Sequence, residues 1–228
     1  MNDDVLIIII GVLLFVVIVL LLILHRNTFD KSYNKCLGYY VMAKYDNKQE
    51  AAKILHTLNI FGIKLIDEMH KKYNNNVDAM KIINRLINNY DPDKLQENDP
   101  IYTFGHKAYT LNFRKIAICL RKTDGKFYDL DVLKFVFLHE LSHIGSIEKE
   151  HNIQFWTIFK YVLTCATSLV EYKQTNYSQY PMNYCGIQVS HNPYFEEYDI
   201  SNLLTSFIPN SSGKNGYNRT NNYNHNKY

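Results

Sequence analysis

The run from Val5 to Leu24, VLIIIIGVLLFVVIVLLLIL, contains no charged residue. It is as long as the helix of about 20 residues needed to cross the hydrocarbon core of a bilayer. Isoleucine, leucine and valine would occupy every face of that helix, so no polar stripe remains to meet water, as a surface helix requires. Asn2, Asp3 and Asp4 precede the run. A cleavable signal would instead begin with positive charge, carry a shorter apolar stretch and end at small residues, so a retained anchor is expected. His25, Arg26, Lys31 and Lys35 follow the run and no Lys or Arg precedes it. The positive-inside rule then places everything after the anchor on the cytoplasmic side of a single-pass protein.

The remaining length suits one domain of ordinary size. The expected division is an anchor over 1–25, a juxtamembrane linker over 26–46, a catalytic domain over 47–208 and a disordered tail over 209–228. That tail is rich in Asn, Gly and Ser and nearly devoid of apolar residues. The net charge of +3, from 25 Lys+Arg against 22 Asp+Glu, is too small to mark a nucleic-acid binder by electrostatics. Cys36, Cys119, Cys165 and Cys185 are widely spaced and form no CxxC pair, which fits neither a zinc knuckle nor a dense disulfide framework. Reduced thiols are the expectation, with two bridges open to a domain that faces an oxidising lumen.

Within the domain, Ala51, Ile54, Leu55, Leu58, Phe61, Leu65 and Met69 recur at three- and four-residue steps, which predicts an amphipathic helix over 47–73. A second helix is predicted over Val77–Asn89, closed by Tyr90-Asp91-Pro92. Short β-prone runs over 101–109 and 115–121, the latter before the polar turn Lys122-Thr123-Asp124-Gly125, predict a small sheet. The segment LDVLKFVFLHELSHI, from Leu130, is apolar on nearly all sides and predicts a buried helix with Asp129 or Asp131 at its N-terminus. A further long helix is expected over 153–173.

The buried helix carries His139-Glu140-Leu141-Ser142-His143. Two histidines four apart on a helix differ by about 40° in azimuth, so both imidazoles can reach one Zn2+ from the same face. Glu140, displaced along the axis, suits a general base that takes a proton from a water activated by the metal. A buried His-Glu-His cluster would be costly unless paired or metallated, which weighs against three unrelated polar side chains in an apolar helix. For the third ligand, His151 lies eight residues beyond His143, after a loop that can fold back. Glu171, on the following helix, is the competitor; ligand type and proximity favour His151. The offsets of Gly145 and His151 do not fit the HExxHxxGxxH pattern. The other histidines, His56, His70, His106 and His191 among them, have no spaced partner and are given no role. Tyr184-Cys185-Gly186 reads as a strand and turn.

The segment FVFLHELSHIGSIEKEHNIQFW resembles the WLM metallopeptidases and their SprT-like relatives, whose signature is an HELxH helix, a short loop, and a third histidine followed by Phe-Trp. Upstream, IAICLRKTDGKFYDLDVLKFVFLHELSH resembles the strand, turn and active-site helix of the same family, so the likeness covers roughly 99–162. The loop between His143 and His151 is longer than the family form. The anchored layout looks like WLM-type proteins encoded by large DNA viruses, which makes a host or virion membrane the expected site. The resemblance implies a zincin-like α+β fold, peptide-bond hydrolysis with protein or peptide substrates, and action on proteins attached to DNA. Charge gives that last class no independent support. A non-catalytic anchored scaffold or virion protein with a structural zinc site is the competing function; such a site needs a fourth protein ligand and no base, so the presence of Glu140 favours the enzyme.

Overall fold

A computed structural model describes residues 3–98, 108–112, 114–147, 150–170 and 172–204. The expected tail over 209–228 lies outside them, as do Glu171 and His106.

Helix α1 (Asp3–Ser32) contains the apolar run. Over Ile7–Leu24 its mean hydropathy is 3.8 and none of its residues is buried against the rest of the chain. A core helix of this composition would be covered by neighbours. This one is long and apolar enough to cross a membrane, and none of the described residues buries it.

Residues 26–46, expected as a linker, are structured instead. They hold the end of α1 and a hairpin of β1 (Tyr33–Cys36) and β2 (Tyr39–Met42). Leu37 and Gly38 both have positive φ, at 48° and 91°. That pairing matches the twist of a two-residue hairpin turn, at a cost for Leu37 that glycine does not incur.

Helix α2 (Lys48–Tyr73) follows, then α3 (Val77–Asn89), which opens where the Asn76 side chain accepts a hydrogen bond from the Ala79 amide at 2.8 Å. Next come a 3-10 turn at Pro92–Lys94, β3 (Leu95–Glu97), β4 (Ala108–Leu111) and β5 (Lys115–Ile118). The five strands form one sheet in the order β1-β2-β3-β5-β4. Strands β2, β3 and β5 run parallel, while β1 and β4 lie antiparallel on the two edges. The α2–α3 pair is therefore the crossover that joins β2 to β3, as parallel pairing demands.

After the sheet come α4 (Leu130–Gly145), α5 (Ile153–Leu169), a small hairpin of β6 (Met182–Tyr184) and β7 (Ile187–Val189), a 3-10 turn at Pro193–Phe195, and α6 (Ser201–Leu204). The result is a mixed α+β domain behind one apolar N-terminal helix. Ala51, Leu55, Leu58, Leu65 and Met69 are fully buried, so the face read from their spacing is the one that packs.

At Gly62, α2 packs against the Phe137 ring of α4. A Cβ there would sit 2.7 Å from two ring carbons of Phe137, itself fully buried. Gly62→Ala is expected to lower stability by about 1–3 kcal/mol through overpacking, read as a lower urea midpoint.

Two features join distant segments, the first against the expectation of reduced thiols. Cys119 and Cys185 form a disulfide, while Cys36 and Cys165 remain thiols. The bridge ties the end of β5 to the β6–β7 turn. There the Tyr184 hydroxyl donates to the Cys119 carbonyl at 2.9 Å and the Cys185 amide donates to the Tyr128 hydroxyl at 2.7 Å. Disulfides persist chiefly in oxidising compartments, so this one points away from the cytoplasmic side that the flanking charges indicate.

The second is a buried ion pair. Arg121 donates through Nε to Glu97 Oε1 at 2.7 Å, with side-chain exposures of 2% and 0%. Glu97 Oε2 also accepts the Met42 amide at 2.7 Å, and Arg121 donates to the Asn47 side chain. The guanidinium lies between the Tyr45 and Phe127 rings, 4.3 Å from each centroid. One cation thereby joins β2, β3 and the chain that leaves β5.

Candidate metal centre

Helix α4 is buried along most of its length by Leu133, Phe135, Val136, Phe137, Leu138, Leu141 and Ile144. Asp129 is its N-cap residue, without a side-chain capping bond, and Asp131 lies in its first turn. On the face left over, His139 and His143 stand one turn apart with ring centroids 5.0 Å from each other.

The chain leaves α4 at Ser146, whose amide bonds back to the His143 carbonyl. It enters α5 at Asn152, whose side chain caps the Phe155 amide at 3.0 Å. This cap fixes the preceding residue, His151, over the α4 face. His151 Nε2 then lies 3.0 Å from His139 Nε2 and 3.1 Å from His143 Nε2.

Among the described residues these three are the His, Cys, Asp or Glu group able to share a metal, their ligand atoms all within 4.8 Å of one another. Ligands about 2.0–2.1 Å from a tetrahedral zinc stand roughly 3.4 Å apart, close to these separations. Three imidazole nitrogens turned on one point cannot all be satisfied by one another, since each neutral ring has one donor and one acceptor. A divalent cation meets all three, so the residues fit zinc. The structure thus brings together His139, His143 and His151, while Glu171 falls outside the described residues.

Aromatic rings hold the cluster. Phe155 stacks on His143 at 4.3 Å and meets His139 and His151 edge-on. Trp156 stacks on His151 at 5.6 Å, and Phe159 meets His139 at 5.2 Å. His139 and His143 are half-buried and His151 is exposed, so the cluster opens to solvent on the His151 side.

Comparison with known proteins shows a viral relationship. The chain is 30% identical over 152 residues to uncharacterized protein R325 of Acanthamoeba polyphaga mimivirus, a span covering 66% of this chain and 76% of that one. The chain belongs to the family of this mimivirus protein. It is also similar to uncharacterized protein 136R of Invertebrate iridescent virus 6, with 37% identity over 95 residues, 40% of this chain and 48% of that protein. Uncharacterized protein 042R of Invertebrate iridescent virus 3 shares 34% over 82 residues, 36% of this chain and 50% of that protein. No protein-family model matches, and no solved structure matches.

In this family member Glu140, which follows His139 in the chain, is buried at 4% exposure. Its Oε2 accepts the Thr110 hydroxyl at 2.8 Å, and the same hydroxyl lies 3.0 Å from the Glu140 backbone carbonyl. Thr110 belongs to edge strand β4, thirty residues upstream, where no spacing rule links it to α4. Burial pushes the Glu140 carboxyl up to about 8, only partly offset by the Thr110 bond. Burial, and then the charges of His143, His151 and His191, hold His139 well below the ordinary histidine value. Burial, helped by His151, lowers His143 to about 4, and burial also lowers His151. All three imidazoles are therefore neutral at pH 7, the state in which they can bind a metal.

The Glu140 shift has a consequence for the metal-free protein. A carboxyl whose folded value is raised stabilises the fold fully below its unfolded value near 4.5, and that contribution is lost as pH rises through about 8. Between pH 5 and 8 wild-type stability should therefore fall relative to that of Glu140→Gln by on the order of a few kcal/mol, read as a falling thermal midpoint. Parallel pH profiles of the two midpoints would refute the buried placement of this carboxyl.

Among the other histidines, His56 bonds to the Tyr39 hydroxyl at 3.3 Å and His70 lines a groove between α2 and α3, both apart from the cluster.

Proposed function

We propose that this chain is a membrane-anchored zinc metallopeptidase of the WLM or SprT-like kind, with a zincin-like fold and Glu140 as general base. The supporting observation is the convergence of His139, His143 and His151 through their Nε2 atoms, over the helix that also carries the buried carboxyl of Glu140. When bound, zinc would supply Lewis acidity to a peptide carbonyl and make a water more acidic.

The protein's own groups do the rest. Glu140 accepts a proton from the attacking water at its carboxylate and passes one to the leaving amine. Thr110 fixes the carboxylate orientation, and the Phe155 and Trp156 rings limit the freedom of the imidazoles. A cation held by His139, His143 and His151 would oppose the burial that raises the Glu140 value, leaving the carboxylate available as a base. A structural zinc site would need a fourth protein ligand, and none joins the three histidines among the described residues.

Anchoring by α1 would confine hydrolysis to protein substrates at a host or virion membrane, and viral relatives fit that setting. The flanking Arg26, Lys31 and Lys35 favour the cytoplasmic face, and the Cys119–Cys185 disulfide weighs against it. The small net charge lends no support to substrates held on DNA.

The test is casein hydrolysis by the full chain in detergent. Activity should disappear with a chelator and return with zinc; a zinc-loaded protein that leaves casein and other unfolded proteins intact would remove the reading.

A further inference from the structure

The triplet Asn-x-Ser/Thr, with x other than proline, is the acceptor for N-linked oligosaccharide. It stands in this sequence at Asn176-Tyr177-Ser178, Asn210-Ser211-Ser212 and Asn218-Arg219-Thr220. A chain so rich in asparagine meets the triplet by coincidence. Two further conditions must therefore hold: an accessible amide in a surface turn, and a compartment in which the transfer takes place. The second and third triplets lie outside the described residues.

Asn176 meets the first condition. It opens a turn in which its backbone carbonyl accepts the Gln179 amide at 3.1 Å and the Tyr180 amide at 2.9 Å. Its Oδ1 accepts the Ser178 amide at 3.1 Å, which brings the two polar members of the triplet together. Tyr177, between them, is buried, with its ring 4.7 Å from that of Phe135 on α4. Asn176 itself is half-buried, while Ser178, Gln179 and Tyr180 are exposed. Among the described residues Asn176 Nδ2 has no hydrogen-bond partner and is not one of the buried polar atoms left unpaired, so it reaches solvent. The chain just before the turn is fixed: Gln174 donates to the Leu163 carbonyl at 3.1 Å, and the Thr175 carbonyl accepts from Asn192 at 2.8 Å.

The Cys119–Cys185 disulfide meets the second condition, because structural disulfides form in the oxidising lumen where N-linked transfer also occurs. The flanking cations argue for the opposite face, but the positive-inside rule is a statistical bias, whereas a bridge is a covalent outcome of where the domain folds.

We propose that Asn176 is an N-glycosylation site and that the domain carrying it faces the lumen, with Asp3 and Asp4 on the cytoplasmic side. Asn176 Nδ2 forms a bond to the anomeric carbon of an oligosaccharide carried on a lipid diphosphate. The bond from that carbon to the diphosphate oxygen breaks, the amide proton leaves on the diphosphate side, and nothing is oxidised or reduced. The assignment is independent of the metallopeptidase reading, since an inactive protein would carry the same glycan.

The full chain would be produced in eukaryotic cells and its membranes treated with peptide N-glycosidase before electrophoresis. The Asn210→Gln/Asn218→Gln variant isolates the turn and should show a single downward step in mass on treatment. The enzyme leaves aspartate at position 176, which peptide mass spectrometry reads. Added to that variant, Ser178→Thr should keep the glycan, while Asn176→Gln and Ser178→Ala should each abolish it. Maleimide labelling of the same membranes before and after reduction should show the Cys119–Cys185 bridge already formed.

An Asn210→Gln/Asn218→Gln variant whose migration the glycosidase leaves unchanged overturns the site. If its bridge is nonetheless formed, Asn176 alone is refused and the oxidising compartment stands. If all four cysteines react with maleimide before reduction, the lumenal placement falls as well. Casein hydrolysis enters neither outcome, so the metallopeptidase reading is left to its own test.

Discussion

Glu140→Gln is expected to lower casein hydrolysis by about 10²–10⁴-fold while the protein still binds zinc. Glutamine keeps the shape of the side chain and can still meet the Thr110 hydroxyl, which lies 2.8 Å from Glu140 Oε2. It cannot accept a proton from the attacking water. Because Glu140 is not among the three converging ligands, metal content should stay as in wild type. The loss should appear in kcat with little change in KM, the pattern of an interaction made only in the transition state. A variant that retains wild-type turnover would show that this carboxylate is not the base. A variant that loses both zinc and turnover would show that it belongs to the metal's own shell.

Arg121→Met should lower stability by about 3–5 kcal/mol. The substitution leaves the fully buried Glu97, which still accepts the Met42 amide, without the Arg121 cation. A buried charge without its counter-ion carries a large desolvation penalty, whereas replacing both members by apolar groups is often nearly neutral. The double variant Glu97→Leu/Arg121→Met should therefore recover much of the loss, although the Met42 amide then lacks its acceptor. Urea unfolding of the full chain in detergent, followed by fluorescence, checks both statements. Equal midpoints for wild type and Arg121→Met would mean that the pair contributes little to holding the sheet.

The two variants touch features of very different visibility in the sequence. The histidine cluster could be read because a helix converts spacing into direction: His139 and His143 are four apart, and the resemblance pointed to a third histidine before Phe-Trp. Helix α3 occupies the predicted Val77–Asn89, and α2 and α4 fall within a residue or two of expectation. Local periodicity sufficed for them. Helix α5 stops at Leu169, short of the expected 173, where Val170 leaves helical geometry.

The sheet was legible only in part. Runs expected near 101–109 and 115–121 yield β4 and β5, the former described only from Ala108. Strands β1, β2 and β3 were not foreseen. Leu95-Gln96-Glu97 is buried throughout yet mostly polar, because Glu97 meets a cation from a segment 24 residues away. No alternation of apolar and polar residues can announce such a strand, and the parallel pairing of β2, β3 and β5 is set by contacts remote in sequence. Thr110 was missed for the same reason, since it reaches Glu140 from a distant strand. The disulfide between Cys119 and Cys185 spans 66 residues, and spacing alone could not pair those two among four.

Zinc K-edge X-ray absorption of the full chain in detergent tests the central claim most directly. The account predicts three imidazole nitrogens and one further light atom at about 2.0–2.1 Å, with one imidazole lost in each of His139→Ala, His143→Ala and His151→Ala. A spectrum with sulfur in the shell, or one unchanged by these substitutions, would contradict it.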